Sequence, residues 1–284
     1  MRGVDTGDTR ALHRTRVASR HLRELVPVLR LPSQTAKKLN RRLRKVTRLL
    51  GTVRELDVML TAIDELHAAY PRLDHALRRV RAAVIEARKE ARERLADRLP
   101  VEDLQRLTRK LDRLRADLHR AEAAEPARVP DRRRATVWAT DARMARRASD
   151  LASAIASAGA VYLPGRLHEV RLGIKKLRYV LELGSELSGE GRTPALRVLR
   201  REQDLLGRMH DFEMLIDRVR DLQASLTPPS LPAWRELDAV IVTLEEMCRR
   251  VHARYVHRRQ GLEAIAAKYT AHVPPGSRAV RRAG

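Results

Sequence analysis

Apolar residues recur along this chain in alternating steps of three and four. In the clearest stretch, Leu39, Leu43, Val46, Leu50 and Val53 step by four, three, four and three. At about 100° per residue that spacing puts them on one face of a helix. Lys37, Arg41, Arg44, Lys45 and Arg48 fall on the opposite face. The same period runs through most of the chain, punctuated by proline and glycine. It predicts a first helix from about Thr9 to Leu31, kinked or ended by Pro27. After Pro32, Ser33 reads as an N-cap, and a second helix runs from Gln34 to the stop at Tyr70-Pro71. A third spans Arg72 to Leu99, with Leu73, Leu77, Val80, Val84 and Ala91 as its buried stripe. Pro100 stops it, and a fourth runs from Val101 to about Ala124. Further helices are predicted over Ala135–Ala158, from Leu163-Pro164-Gly165 to about Ser188, over Pro194–Gln223 and over Trp234–Tyr269. Residues 1–9 and a basic tail at 273–284 are expected to be mobile.

One stretch occurs twice. Leu12-His13-Arg14-Thr15-Arg16-Val17-Ala18-Ser19-Arg20-His21-Leu22-Arg23 returns as Leu167-His168-Glu169-Val170-Arg171-Leu172-Gly173-Ile174-Lys175-Lys176-Leu177-Arg178, at an offset of 168 − 13 = 155. On a helix, His13, Arg16, Arg20 and Arg23 lie within roughly 80° of one another, apart from the apolar face. His168, Arg171, Lys175 and Arg178 repeat that stripe. A second motif, Leu50-Gly51-Thr52-Val53-Arg54-Glu55-Leu56-Asp57, returns as Leu206-Gly207-Arg208-Met209-His210-Asp211-Phe212-Glu213 at 206 − 50 = 156. Glycine inside a helix costs about 1 kcal/mol against alanine, so Gly51 and Gly207 are expected to mark close packing. Glu55, Asp57, Asp211 and Glu213 are expected to pair with nearby arginines. The organisation that follows is a single domain over 1–284. It holds a first helical repeat at 9–124, a linker at 125–131 and a second repeat at 132–272. Duplicated helical units tend to pack about a pseudo-twofold axis, which would turn the two cationic stripes toward a shared groove.

Composition narrows the class. Aromatic residues make up 3% of the chain and the 43% hydrophobic content is mostly Leu, Ala and Val. Strand formers are scarce and helix formers abundant, so the fold class is all-α, a helical bundle of long antiparallel helices. Lys plus Arg number 59 and Asp plus Glu 36, a net charge of +23. A GC-rich genome would favour Arg over Lys but would not create an excess of that size. Self-repulsion at this level points to a polyanionic partner: nucleic acid, anionic lipid or inorganic polyphosphate. Cys248 is the single cysteine, which excludes an intramolecular disulfide and a thiolate zinc cluster. The N-terminus has no apolar segment of the signal-peptide kind, and Leu151–Leu163 is too short and too serine-containing to span a membrane. A soluble cytoplasmic protein without membrane association is expected.

The chemistry is cationic. Arg and Lys one helical turn apart, about 5.4 Å, match the scale on which phosphates recur in a linear polyanion. Arginine holds phosphate oxygens with a planar fork and lysine acts as a point charge. The face formed by Lys37, Arg41, Arg44, Lys45 and Arg48 has two readings, a solvated surface or a binding face. It contains no acid to balance it, which favours binding. Its counterparts at the offset of 156 are Thr193, Arg197, Arg200, Arg201 and Asp204, so Arg197, Arg200 and Arg201 join the candidate ligands. A lone helical histidine is usually structural. His13 and His168 each lead an equivalent ladder, which favours a binding role. No phosphate-binding Gly-rich loop or nucleophile elbow is present. His210-Asp211 lacks the further ligands of a metal phosphohydrolase, and His252 and His257, five apart, do not share a helical face. No catalytic residue, metal or cofactor is expected.

The paired His-x-x-Arg-(Val/Leu)-x-x-(Arg/Lys)-basic-Leu-Arg motifs, with the two Leu-Gly-x-x-(Arg/His)-(Glu/Asp) motifs, resemble the CHAD family, the conserved histidine α-helical domain. The resemblance covers nearly the whole chain. It implies a bundle of two pseudo-symmetric repeats around a basic channel, binding of inorganic polyphosphate and association with polyphosphate granules. It carries His13, Arg16, Arg20, Arg23, His168, Arg171, Lys175 and Arg178 over as phosphate ligands. Three features depart from the family. His21 stands where a second basic residue is usual, the helix that usually precedes the first motif is expected to be missing, and no fused triphosphate-processing domain is expected. The expected function is non-enzymatic polyphosphate binding. A nucleic-acid-binding protein and a polyphosphate-processing enzyme are the alternatives.

Overall fold

A computed structural model describes residues 9–271 of the chain, apart from Arg30, Glu190 and Arg192. Of the segments expected to be mobile, 1–9 and 273–284, all but Thr9 lie outside the described residues, and Thr9 opens the first helix. Among the described residues eight α-helices follow one another: α1 (Thr9–Leu25), α2 (Ser33–Ala69), α3 (Asp74–Arg98), α4 (Val101–Ala124), α5 (Val129–Ala158), α6 (Pro164–Ser188), α7 (Thr193–Ala224) and α8 (Leu231–Thr270). No strand occurs among the described residues. The all-α bundle read from the periodicity is the fold.

Proline sets most boundaries. Helix α1 ends at Leu25, short of the expected Leu31. The ring of Pro27 disfavours helical geometry at Val26, and residues 26–28 form a turn. Pro32, with ψ 134°, stands at the N-cap of α2, so Ser33 is the first helical residue and not the cap. Pro71–Leu73 is a short 3-10 turn ahead of α3. The expected linker at 125–131 is mostly helical. Glu125 breaks the chain, Pro126–Arg128 makes a 3-10 turn, and α5 starts at Val129 with Pro130 in its first turn. Proline is tolerated there because that amide has no helical partner, and α5 therefore begins six residues before the expected Ala135. Helix α6 ends on Gly189 at φ 70°, a left-handed position that glycine takes without a steric penalty. Ser230 caps α8 by accepting from the Ala233 amide at 3.4 Å.

The halves meet like with like. Helix α1 contacts α6, α2 contacts α7, and α3 contacts α8. Buried positions recur at constant offsets: Leu12 and Leu167; Leu50 and Leu206; Ile63 and Val219; and, at 237 − 77 = 160, Leu77 with Leu237, Val84 with Leu244 and Leu95 with Tyr255. The matched sets are α1–α3 and α6–α8, with α4 and α5 between them. Helix α5 packs extensively on α6 and α8. Gly173 permits this approach, since an added Cβ would come within 3.0 Å of Leu151 Cδ1. Helix α4 packs through Leu104 and Leu107 alone among its fully buried residues.

The apolar core does not divide at the middle of the sequence. A large cluster joins α5–α8 to Met59, Ile63 and Leu66 of α2 and to Leu77, Val80 and Val84 of α3. A smaller one gathers Leu12, Leu39, Leu43, Leu50, Leu95 and Leu104. The expectation for the motif glycines splits as well. A Cβ added at the buried Gly51 would meet Arg16 Nη2 and Glu55 Oε1 at 3.7 Å, whereas nothing lies within 4 Å of a Cβ added at Gly207.

Candidate functional site

The two copies of the first motif are α1 and α6, and their basic stripes converge. Four charged neighbours act on Lys175, namely Arg171, Arg20, Arg16 and Arg178. Burial first, and then these like charges, push the lysine down to about 6. Arg16 is held low, at about 10, by burial and by Arg20, with Arg171 adding to the effect and Glu55 opposing it. It remains a cation at neutral pH. Arg171 is lowered by burial, although Asp211 works the other way, and its Nε is buried without a hydrogen-bond partner. Arg16, Arg20, Arg171 and Lys175 therefore form one partly desolvated cationic cluster drawn from both halves.

Two acids temper the cluster in matching places. Arg16 Nη2 lies 3.5 Å from Glu55 Oε1, and Asp211 faces Arg171 and Lys175. Burial raises Asp211 above the usual carboxylate range against the pull of these cations. The expected pairing of the second-motif acids with arginines extends to Asp57, which accepts from Arg88 Nε at 2.6 Å. It does not extend to Glu213, which accepts from the Tyr162 hydroxyl at 3.1 Å and lies 3.8 Å from His210.

The histidines stand at the two ends of the cluster. His13 is exposed and is lowered by burial, then by Arg54, Arg16 and Arg20. The His168 ring lies 4.8 Å from that of His210, and burial and His210 lower it. Arg54 and His210 occupy one position of the second motif, 210 − 54 = 156. Neither was among the candidate ligands taken from the sequence. Their signal is the shared Arg/His position of that motif, which comes near the motif histidines only across a helix interface: Arg54 acts on His13, and His210 lies beside His168.

The remaining candidates divide. Arg23 is lowered by burial and then by Arg44, so the α1 ladder runs on to α2. Lys37, Arg41, Arg44, Lys45 and Arg48 line an open groove of about 970 Å³ with Pro27 and Asn40. Of these, Lys45 also lies 3.9 Å from Asp103. The second-half set is not assembled in that way. Arg197 is exposed. Arg200 Nη2 donates to Glu182 at 2.9 Å, and Arg201 Nε donates at 3.0 Å to Glu202, which is fully buried. Arg178 is likewise held, by Glu182 at 2.6 Å and Gln203 at 3.0 Å. His21 has taken a structural place, its ring 4.6 Å from that of Tyr179, and the Arg178 guanidinium lies 4.5 Å from the same ring.

Among the described residues, no set of three or more His, Cys, Asp or Glu side chains is placed to hold a metal ion. No helix there is long and apolar enough to cross a membrane. Comparison with known families matches residues 2–220 to the CHAD domain. The matched segment runs through both motif pairs and most of α7, and α8 follows it. No curated protein and no solved structure matches the chain. With a match over most of its length, and with both motif pairs placed against one another in the fold, the chain belongs to the CHAD domain family.

Proposed function

We propose that this protein binds inorganic polyphosphate between α1 and α6 and along the basic face of α2, and catalyses no reaction of its own. The observation that carries the reading is the gathering of Arg16, Arg20 and Arg171 around the buried Lys175, which burial first and these like charges next bring down to about 6. Like charges gathered out of water cost stability. A chain of phosphates would relieve that cost, and arginine forks suit its oxygens. Arg23 and Arg44 would extend the path to the groove of α2. Association with polyphosphate granules would follow from affinity for the polymer.

A nucleic-acid ligand fits less well. Tyr179, the aromatic residue nearest the ladder, is taken up by Arg178 and His21. Trp138 and Trp234 are exposed but belong to α5 and α8, which supply none of the candidate ligands. Bases would find no stacking platform beside the cations. The test is a titration with long-chain polyphosphate, duplex DNA and single-stranded RNA at equal phosphate concentration and matched salt. Polyphosphate should bind tightest, and with about six contacts at roughly 0.7 each its log K should fall by about 4 per decade of salt. Equal competition by duplex DNA or RNA would replace this reading with the nucleic-acid one.

A further inference from the structure

One side chain adds to the inequality of the two basic faces. In the second half, Glu182 Oε1 accepts from Arg178 Nη1 at 2.6 Å and from Arg200 Nη2 at 2.9 Å. Its Oε2 lies 3.7 Å from His21 Nε2 on α1. This carboxylate, on a side chain only 13% exposed, ties together α6, α7 and the opposite half. The repeat offsets locate the matching positions in the first half: 178 − 155 = 23, 200 − 156 = 44 and 182 − 155 = 27. Arg23 and Arg44 are both present and close enough that Arg44 depresses the Arg23 pKa. The bridging acid is not. Its place is taken by Pro27, which lines the open groove beside Arg44. The adjacent Glu24 leans on Arg23 but is committed to α5, at 2.6 Å from Arg143 and 3.5 Å from Arg147.

We propose that Glu182 is a built-in occupant of the second anion subsite, a carboxylate standing between Arg178 and Arg200 where the first half leaves the same place open for a ligand phosphate. A polyanion then settles on Arg23, Arg44 and the groove of α2, and gains the Arg178–Arg200 pair only by displacing Glu182. Binding is thereby biased further toward the first half. Glu182 acts on the ligand by direct competition for two arginines. The inference rests on the polyphosphate reading.

The experiment compares wild type, Glu182→Gln and Pro27→Glu for binding of long-chain polyphosphate over a range of salt, with circular dichroism melts to show that each is folded. Glu182→Gln keeps the side-chain shape and one acceptor while removing the competing charge. It should tighten binding roughly tenfold near ~0.1 M salt and steepen the salt slope by roughly 1.4, from two further phosphate contacts at about 0.7 each. Pro27→Glu installs the acid in the first half and should weaken binding and flatten the slope. A purely structural role for Glu182 would change the melting temperature without steepening the slope. If wild type binds polyphosphate and folded Glu182→Gln matches it in affinity and slope, the internal-occupant idea is wrong while the polyphosphate reading stands. If no variant binds polyphosphate, the reading itself is wrong and the inference goes with it.

Discussion

Lys175 is the residue on which the site turns. Its place in the ladder was legible, because it recurs at the position of Arg20 in the repeated motif. Its environment was not, because burial depresses it first and, besides Arg171 and Arg178 of its own helix, Arg20 and Arg16 reach it from a helix some 155 residues earlier in the chain. A pH prediction follows. The folded-state value is about 6 against the ordinary 10.5. Between those values the unfolded chain carries a proton that the folded chain lacks, so this lysine makes stability rise with pH across that window, most steeply above pH 6. Below about 6 both states are protonated and the dependence ends. Lys175→Met keeps the bulk and removes the titration. Urea unfolding from pH 6 to pH 8.5 should show wild type gaining on the variant by up to about 1.4 kcal/mol per pH unit. Parallel curves would mean that Lys175 keeps its charge in the folded protein. Arg54, His210 and Glu182 escaped the candidate set for a related reason. Arg54 and His210 meet the motif histidines, and Glu182 meets Arg200 and His21, across helix interfaces, and one-dimensional spacing reports only what shares a helix, as Arg178 and Glu182 do.

Among the elements, α2 and α7 hold most of the contrast. The apolar stripe of α2 was visible residue by residue, and Leu39, Leu43, Val46, Leu50 and Val53 are all buried. Its cationic face was visible too, and Arg41, Arg44 and Arg48 are exposed along the groove. In α7, by contrast, Arg200 and Arg201 are each satisfied by a carboxylate, one of which, Glu202, lies where α2 has the apolar Val46. A count of charges shows the loss of cations in the second copy, but not that two of those remaining are already engaged. Neutralising Arg41, Arg44 and Arg48 together should therefore weaken polyphosphate binding roughly tenfold or more and lower the salt slope by about 2. Neutralising Arg197, Arg200 and Arg201 should cost only about twofold, with a smaller change in slope. Both sets must melt like folded protein, since these side chains also cover helix surface. Equal losses, or a larger loss from the second set, would detach the binding path from α2. The helix ends were less legible than the faces. Pro27 and Pro130 each permit two outcomes, a stop or a start, and only the packing around them decides.

For the whole molecule, the duplication was legible from two motif offsets, and the like-with-like contacts of the halves agree with it. The division of the core was not, because periodicity marks which residues are buried and not what they are buried against. The large cluster takes Met59 to Val84 from the first half and embeds them among α5–α8. The connection between the halves is by contrast lightly held: residues 115–120 of α4 are all exposed. Those two features together mean that the peptide link and the physical link between the halves are separate things. A protease cut between Arg115 and Arg120 should leave two pieces that stay together, because parting them would expose the shared apolar interior. The nicked protein should elute as one species in gel filtration, and its melting temperature should climb with concentration as a heterodimer's does, where the uncut chain's would not. Pieces that separate after the cut would show instead that the covalent tether holds the halves together. Pieces that stay together would make the fold, in energetic terms, a heterodimer whose two unlike subunits share one backbone.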